Sequence, residues 1–316
     1  MSVPVIERCV GLDNTIDSLL PIGDLDLLVT RLASTANIKI TKSLKIEQGP
    51  GNGVLFASST GGFHSVWRDS GDCYAINEGA SSAGLVRVVG IDPVSFVVVR
   101  GGLTKNRPME FIDIGGGRVL YSNGVENGYI AATGLSSAWP TDTYFGPPTD
   151  TVFSAAPVAD HMAYRNGVAL LAVGSTIYCN FVPFVFGLFA LAEYNTRFKD
   201  DIVMMKAVSD GFFASCTKYT WFLRGDNCTN FHVGDPVAMY PANEWGVSTK
   251  YAPGSMFGLG KDSRCAVWTS PKGICVGFPD GTMRLYDKRV TLKNEAVSGD
   301  AACMVFDEDY IIATYQ

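Results

Sequence analysis

The stretch "NGVALLAVGSTIYCNFVPFVFGLFALA", residues 166–192, has 27 uncharged residues in a row between Arg165 and Glu193. A hydrophobic run of about 18 or more residues is ordinarily a candidate transmembrane helix. Gly174, Asn180 and Pro183 interrupt this run where strands would end, and such residues are typical of turns. The stretch is therefore predicted to form buried β-strands, and no membrane span is expected.

The pattern of turn, strand, turn and strand in this stretch recurs along the chain. Clear copies are "RNGVALLAVGSTIYCN" (165–180), "SDGFFASCTKYTWFLRGD" (209–226) and "PKGICVGFPDGTMRLYD" (271–287). The copies begin near residues 62, 117, 167, 211, 273 and 309. Paired short strands repeating every 40–50 residues or so are typical of β-propellers, although no WD or kelch fingerprint marks this repeat.

The predicted fold class is therefore all-β, as a single β-propeller of about six blades, with five to seven compatible with the loose period. Residues 1–35 form an N-terminal segment with at most one short helix, near 24–34, and the propeller covers 36–316. Another short helical turn is predicted within 193–211. The last copy is truncated, so the strands within 36–49 are predicted to pair with the C-terminal strand and close the ring, which removes exposed sheet edges.

The composition favours a globular protein with a covered surface. Of the 316 residues 47% are apolar and only 18% are charged, below the usual quarter. This shortage of charge indicates that other subunits cover part of the surface. The net charge of −6 argues against tight wrapping by DNA, but an acidic wall suits a channel along which DNA slides.

The cysteines and histidines carry no recognisable motif. Eight cysteines lie apart from one another without a C-x-x-C pair and are predicted to be reduced, buried residues of a protein made in the cytosol. The three histidines lack metal-ligand spacing, and His64 is predicted to be a strand residue with local hydrogen bonds. "DSGD" (69–72) and "DEDY" (307–310) lack the spacing of a calcium loop. Because no G-x-S-x-G or phosphate-binding motif occurs either, no catalytic, cofactor-binding or metal-binding residue is assigned, and the protein is expected not to be an enzyme.

The second half of the apolar run, residues 181–192, exceeds what the other copies carry. One interpretation is the third strand of a blade, and the other is a patch buried against a neighbouring subunit. The second interpretation gives a candidate subunit interface formed by Phe181, Val182, Phe184, Val185, Phe186, Leu188 and Phe189.

Several segments together resemble a known family. They are "LASTANIKITKSLKIEQGPG" (32–51), "VLYSNGVENGYI" (119–130), "MAYRNGVALLAVGSTIYCN" (162–180) and "AVSDGFFASCTKYTWFLRGD" (207–226). This order is similar to the β-propeller tail nozzle or hub proteins of short-tailed bacteriophages, the packaged-DNA stabilisation type. The resemblance covers about 11–316 and rests on structural turns and strands.

The resemblance implies a non-enzymatic structural subunit of the virion tail, synthesised in the host cytoplasm. Such proteins form a homo-oligomeric ring, commonly of about six copies, at the head–tail conduit for DNA ejection. The implied partners are the ring itself, adaptor proteins and fibre or spike proteins, with weak, non-specific contact to genomic DNA. Nozzle proteins usually carry larger insertions between blades, so this chain departs from them in size. Two alternatives stay open: a virion propeller that binds or degrades a glycan, and a cytosolic propeller scaffold.

Overall fold

The structure, a computed structural model, describes most of the chain between residues 62 and 285. The described residues are 62–68, 73–91, 94–244, 246–247, 251–260 and 262–285, together with the backbone of strands outside these ranges. Side chains are not described for residues 68, 90, 91 and 94 or for the strands before 62 and after 300.

Five short strands precede residue 62. They are β1 (Cys9–Leu12), β2 (Gly23–Asp24), β3 (Val29–Leu32), β4 (Ile38–Ile40) and β5 (Ile46–Gln48). Strand β3 pairs parallel with β1 and antiparallel with β2, whereas β4 and β5 form a hairpin.

Two four-stranded antiparallel sheets follow in chain order. The first contains β6 (Phe63–Arg68), β7 (Cys73–Glu78), β8 (Ala83–Ile91) and β9 (Val94–Leu103). The second contains β10 (Glu110–Asp113), β11 (Val119–Ser122), β12 (Asn127–Ile130) and β13 (Ser136–Ser137).

The third sheet contains the apolar stretch and has five strands, and the fourth sheet has four. The third comprises β14 (His161–Arg165), β15 (Val168–Val173), β16 (Thr176–Val182), β17 (Val185–Phe189) and β18 (Asn195–Arg197). The fourth comprises β19 (Ile202–Val208), β20 (Gly211–Cys216), β21 (Thr220–Arg224) and β22 (His232–Val233).

The fifth sheet is followed by a final pair of strands. It contains β23 (Ala252–Pro253), β24 (Arg264–Ser270), β25 (Gly273–Gly277) and β26 (Met283–Leu285), with a short 3-10 helix, Gly254–Phe257, after β23. Strands β27 (Ala301–Phe306) and β28 (Tyr310–Tyr315) pair antiparallel.

The sheets are arranged like the blades of a propeller. Strand β10 lies beside β14, β14 beside β19, β19 beside β24, and β24 beside β27, so these inner strands adjoin one another in chain order. The hydrophobic cores lie between consecutive sheets: Leu170, Phe212 and Leu223 belong to the core between the third and fourth sheets. The predicted all-β, propeller-like fold is confirmed, and the described residues contain no α-helix.

The first half of the apolar stretch forms the predicted hairpin. Strands β15 and β16 pair around Gly174, whose φ of +55° suits glycine at this turn. Both strands are largely buried because sheets pack on either side of the third sheet. In the described part of the chain, no helix is long and apolar enough to span a membrane.

Three finer predictions fare differently. The copy predicted to start at residue 62 is out of phase, because it consists of the first two strands of its sheet. The copies at 117, 167 and 211 supply the second and third strands of their sheets, and the copy at 273 supplies the third and fourth. The prediction of at most one short helix near 24–34 stays a prediction for most of that segment, although residues 29–32 form β3 rather than a helix. Closure by pairing of residues 36–49 with the C-terminal strand, and the blade number, stay predictions, because β4 pairs with β5 and β27 with β28 in the described backbone.

Candidate functional site

The candidate interface residues lie in a hairpin that projects from the third sheet. The first half of β16 pairs with β15 and β18, whereas Asn180 and Val182 pair with β17. Pro183 and Phe184 form the turn between β16 and β17. The second half of the apolar run therefore forms an added strand, β17, beside the end of β16. The outer strand of the blade is β18, which pairs with the first half of β16.

The free edge of β17 is covered by a loop of the same chain. The indole Nε1–H of Trp139 donates to the Phe186 carbonyl oxygen at 2.7 Å. Asp142 accepts the Gly187 N–H through Oδ2 at 2.8 Å, and Ser154 exchanges two backbone hydrogen bonds with Phe189, of 2.8 and 3.2 Å. The segment 139–154 thus takes the place that a neighbouring subunit would have at this edge.

A cluster of four aromatic rings joins this loop to the hairpin. Tyr144 and Phe153 from the loop have ring centroids 4.9 Å apart, and Phe153 lies 5.0 Å from Phe181. Phe181 in turn lies 4.7 Å from Tyr194. Phe181 therefore has partners within its own chain, because aromatic pairs at these separations stabilise one another.

The seven candidate interface residues divide by burial. Phe186, Leu188 and Phe189 are buried in the chain, and Phe181, Val182 and Val185 are half-buried. Phe184 is 68% exposed and has a φ of +65°, a conformation that is unusual for a bulky residue. The exposed part of the predicted interface is thus centred on Phe184.

Two further exposed apolar residues are next in sequence to members of the aromatic cluster. Phe145, which follows Tyr144, is 93% exposed, and Val152, which precedes Phe153, is 78% exposed. We call Phe145, Val152 and Phe184 the hairpin surface. Sequence reasoning identified Phe184 through the apolar run but missed the other two, since each lies in a short apolar pair, Tyr144–Phe145 or Val152–Phe153, within a loop rich in Thr, Asp and Pro.

A second cluster is formed by polar groups of the inner strands β10, β14 and β19 and by Tyr251, which lies just before β23. Glu110 of β10 accepts from His161 Nδ1 at 3.0 Å and from the Met162 backbone N–H at 3.0 Å, so one carboxylate links two sheets. Lys206 of β19 holds its ammonium 4.4 Å from the ring centroid of Tyr251. The contacts connect successive sheets and stabilise their arrangement.

The pKa of Lys206 in this cluster is lower than that of an ordinary lysine. Burial of its ammonium group lowers the pKa of Lys206 to about 8, although attraction to the Glu110 carboxylate opposes the shift. Burial likewise raises the pKa of Tyr251 to about 12, against the effect of Arg264. The inner-strand cluster therefore holds a lysine that loses its proton more easily than usual.

A third polar cluster lies on the first sheet. His64 Nδ1 is 2.8 Å from Ser65 Oγ, and His64 Nε2 is 2.8 Å from Glu78 Oε1. The Met109 N–H donates to Ser65 Oγ at 2.8 Å, and the Asn106 N–H donates to Glu78 Oε1 at 2.9 Å. His64 is a strand residue with local hydrogen bonds, as predicted. The contribution of Glu78 was not foreseen, because it depends on the pairing of β6 with β7.

The described cysteines are thiols, as predicted, and two of them are neighbours. The Cys228 backbone N–H donates to Cys179 Sγ at 3.1 Å, and both side chains are buried. Burial and the neighbouring Cys179 raise the pKa of the Cys228 thiol. Thiols in this environment pack as small apolar groups.

The remaining sequence candidates are not brought into a site. Within the described ranges, no group of three or more His, Cys, Asp or Glu side chains could hold a metal ion. "DSGD" (69–72) lies outside the described residues, as do residues 307–309 of "DEDY".

Comparisons with known proteins identify no family. No protein-family model matches the sequence, and no curated protein matches it significantly. A solved structure of a protein from Lactobacillus plantarum is similar with a TM-score of 0.48 and 12% identity, over 80% of this chain and 78% of that chain. Sqt1 of Saccharomyces cerevisiae matches with a TM-score of 0.42 and 10% identity, over 76% of this chain and 64% of that one.

A third similar structure is AztD from Citrobacter koseri. Its TM-score is 0.34 at 11% identity, with coverage of 70% of this chain and 60% of that chain. These likenesses concern chain arrangement, and no partner or activity is transferred from them.

Proposed function

We propose that the protein is a structural subunit of a bacteriophage tail, of the nozzle or hub type, at the conduit through which DNA is ejected. In this proposal it acts in the virion as a ring of about six copies and binds adaptor and fibre or spike proteins. The sequence segments quoted above support this proposal, because their order along residues 11–316 resembles that of tail propeller proteins.

The observation that carries an assembly role is the hairpin surface. Its three residues are 68–93% exposed and flank a cluster of aromatic rings. The proposal takes these three side chains as one contact surface, since exposed apolar patches are typical of protein–protein contacts. Because the loop 139–154 already covers the edge of β17, the contact would be made by side chains at the hairpin tip rather than by adding a strand.

A second group of exposed apolar side chains adds support. In the described part of the first sheet, these residues are between 40% and 57% exposed: Val66, Val89, Phe96, Val97 and Val98. Exposed apolar side chains in two different parts of the chain suit a ring, in which each subunit contacts one neighbour on either side.

Contact with DNA would be weak in this role. The net charge of −6, from 25 Lys and Arg against 31 Asp and Glu, opposes the approach of phosphates, and phosphate contacts supply most of the affinity for DNA. An acidic wall lets a polyanion pass without adhering, which is what a conduit needs.

The proposal is tested by assembly and location together. Native mass spectrometry of the purified chain is expected to show a closed ring, and mass spectra of purified virions are expected to contain its peptides. A chain that stays monomeric and is absent from the particles would refute the proposal. Depolymerisation of a surface glycan by the pure protein would favour the alternative of a glycan-degrading propeller.

A matched pair of variants locates the contact. Phe184→Ser is expected to weaken the ring by about tenfold or more, as loss of a well-packed interface aromatic does. Leu135→Ser is the control, because Leu135 is also 68% exposed but lies in the turn between β12 and β13 of the second sheet. Equal weakening by both variants would show that the hairpin surface has no special part in assembly.

A further inference from the structure

We propose that Ser65, His64 and Glu78 form a nucleophilic site that cleaves carboxylic esters by acyl transfer. This role is separate from the structural role proposed above and rests on different residues. The three side chains form a continuous hydrogen-bonded chain, with two distances of 2.8 Å, from the serine hydroxyl through the imidazole to the carboxylate. A nucleophile, a base and a group that orients the base are the parts that activate a serine.

The direction of the hydrogen bonds follows from the Glu78 carboxylate. Burial opposes its ionisation, but hydrogen bonds from His64 and the Asn106 N–H outweigh burial and hold the pKa of Glu78 below its ordinary value. An ionised carboxylate can only accept, so His64 Nε2 carries the proton. In the neutral imidazole, Nδ1 is then an acceptor, and the Ser65 hydroxyl donates to it.

The backbone places Ser65 in an unusual conformation. The pairing of β6 with β7 shifts register between His64 and Trp67, which leaves one extra residue on β6. Ser65 lies in this bulge with a φ of +52°, where residues other than glycine are uncommon. Bulges of this kind re-aim side chains and are frequent next to active sites, and strained backbone conformations cluster at functional sites.

The site is open enough for a small substrate. Ser65 is half-buried, the His64 side chain is 31% exposed, and the Glu78 side chain is only 8% exposed. The nucleophile and base are thus reachable, while the orienting carboxylate is shielded from water.

The reaction balances with water as the second reactant. Ser65 Oγ attacks the ester carbonyl carbon while its proton moves to His64 Nδ1. The C–O bond to the leaving alcohol breaks, and that oxygen takes the proton from His64. Water then attacks the acyl-serine with His64 again as base, which releases the carboxylic acid and restores the serine hydroxyl.

The experiment uses the full chain with p-nitrophenyl acetate and with a fluorophosphonate probe that modifies activated serines. Peptide mapping is expected to place the phosphonate on Ser65 in the native protein and not in the denatured protein. Ser65→Ala is expected to abolish labelling of this peptide and ester cleavage. His64→Gln is expected to slow both by about a hundredfold or more, the usual effect of losing a general base.

Ser136→Ala is the matched control. Ser136 Oγ is also half-buried and hydrogen-bonded, at 2.6 Å from Tyr121 Oη, but has no histidine partner. Its loss should leave labelling of Ser65 unchanged. A native chain whose Ser65 is labelled no faster than Ser136, or ester cleavage that persists in Ser65→Ala, would overturn the proposal. Thermal melting of each variant shows that it is folded.

Glu78 is a positioning residue in this scheme. Glu78→Gln keeps a hydrogen-bond acceptor for His64 but removes the negative charge that stabilises the imidazolium formed during the reaction. The labelling rate is expected to fall and the pH of half-maximal rate to move. A purely structural Glu78 would leave that pH in place, and that result in a folded variant would refute its assigned role. Failure of this site leaves ring assembly untouched, so the two proposals fail separately.

Discussion

The inner part of the third sheet and the β16–β17 hairpin are both poor in charge, yet they are buried by different neighbours. Leu170 of β15 is fully buried in the core shared with the fourth sheet. Phe186 of β17 packs in a core with Trp139 of the covering loop, and the hairpin ends at the exposed Phe184. The lack of charge in residues 166–192 thus has two causes. The first half is buried between sheets, and the second half is buried under a loop, except for the exposed Phe184.

The largest effect is expected from the inner part. Leu170→Ala should lower the free energy of unfolding by about 2–5 kcal/mol, because it removes apolar area and leaves a cavity between two packed sheets. Val173 lies on the same strand but is exposed, so Val173→Ala should cost much less. Urea unfolding of both variants measures this. Similar losses would show that β15 is not buried between sheets.

Asn180 lies where β16 stops pairing with β15 and begins to pair with β17. Its side-chain amide forms hydrogen bonds with backbone groups that have no partner strand there. Its Oδ1 accepts the Ala169 N–H at 2.7 Å, and its Nδ2 donates to the carbonyl oxygens of Gly167 at 3.0 Å and Val182 at 2.7 Å. Asn180→Ala should cost roughly 2–4 kcal/mol, because buried polar groups lose their partners.

The control for this position is Asn195→Ala. Asn195 also donates to two carbonyl oxygens, those of Leu191 and Ala192, but in a more exposed turn. Its unfolding free energy should change by less than about 1 kcal/mol, because water can replace the lost donors. If both substitutions cost the same in urea unfolding, burial does not decide the role of Asn180.

The third largest loss of stability is expected in the loop 139–154 that covers the β16–β17 hairpin. Trp139→Phe keeps an aromatic ring but removes the hydrogen bond to the Phe186 carbonyl, at an expected cost of about 1–2 kcal/mol. Hydrogen exchange of residues 185–189 should accelerate, whereas exchange in β15 should not. Acceleration in both strands would contradict the view that the loop 139–154 protects only the added hairpin.

The inner strands also predict a pH dependence that the hairpin lacks. Unfolded lysine has a pKa of about 10.4, whereas that of Lys206 is lowered to about 8. Between these values the unfolded chain binds more protons, so this residue makes stability rise with pH by at most about 1.4 kcal/mol per pH unit. Lys206→Met should remove that part of the slope in urea unfolding at pH 8 and 10, and an unchanged slope would contradict the shift.

The strand pairs of the repeat could be predicted because their signal is local. Gly174 turns the chain between the two apolar runs of β15 and β16. Gly211 and Gly273 are the first residues of the buried strands β20 and β25. The phase of the first copy was wrong because Gly62 and Gly71 flank β6 with the same turn residues that flank the second strand elsewhere.

The candidate sites could be predicted only in part because their partners are distant in sequence. The loop residue that holds Phe186 lies 47 positions before it, and no periodicity connects the two. The Ser65, His64 and Glu78 chain needs the register of β6 on β7, which places His64 opposite Ile76 and brings Glu78 alongside. A single sequence shows such residue types but not which of them meet.

The smallest effect on stability is expected at the hairpin tip. Phe184 is exposed and adopts a φ of +65°, which asparagine tolerates better than a bulky residue. Phe184→Asn should therefore change the free energy of unfolding by less than about 0.5 kcal/mol while weakening self-association. Phe189→Ala, in the same hairpin but fully buried, should cost about 3–5 kcal/mol. If Phe184→Asn destabilises the monomer as much as Phe189→Ala does, the aromatic tip belongs to the fold, and the hairpin loses its distinction from the inner strands.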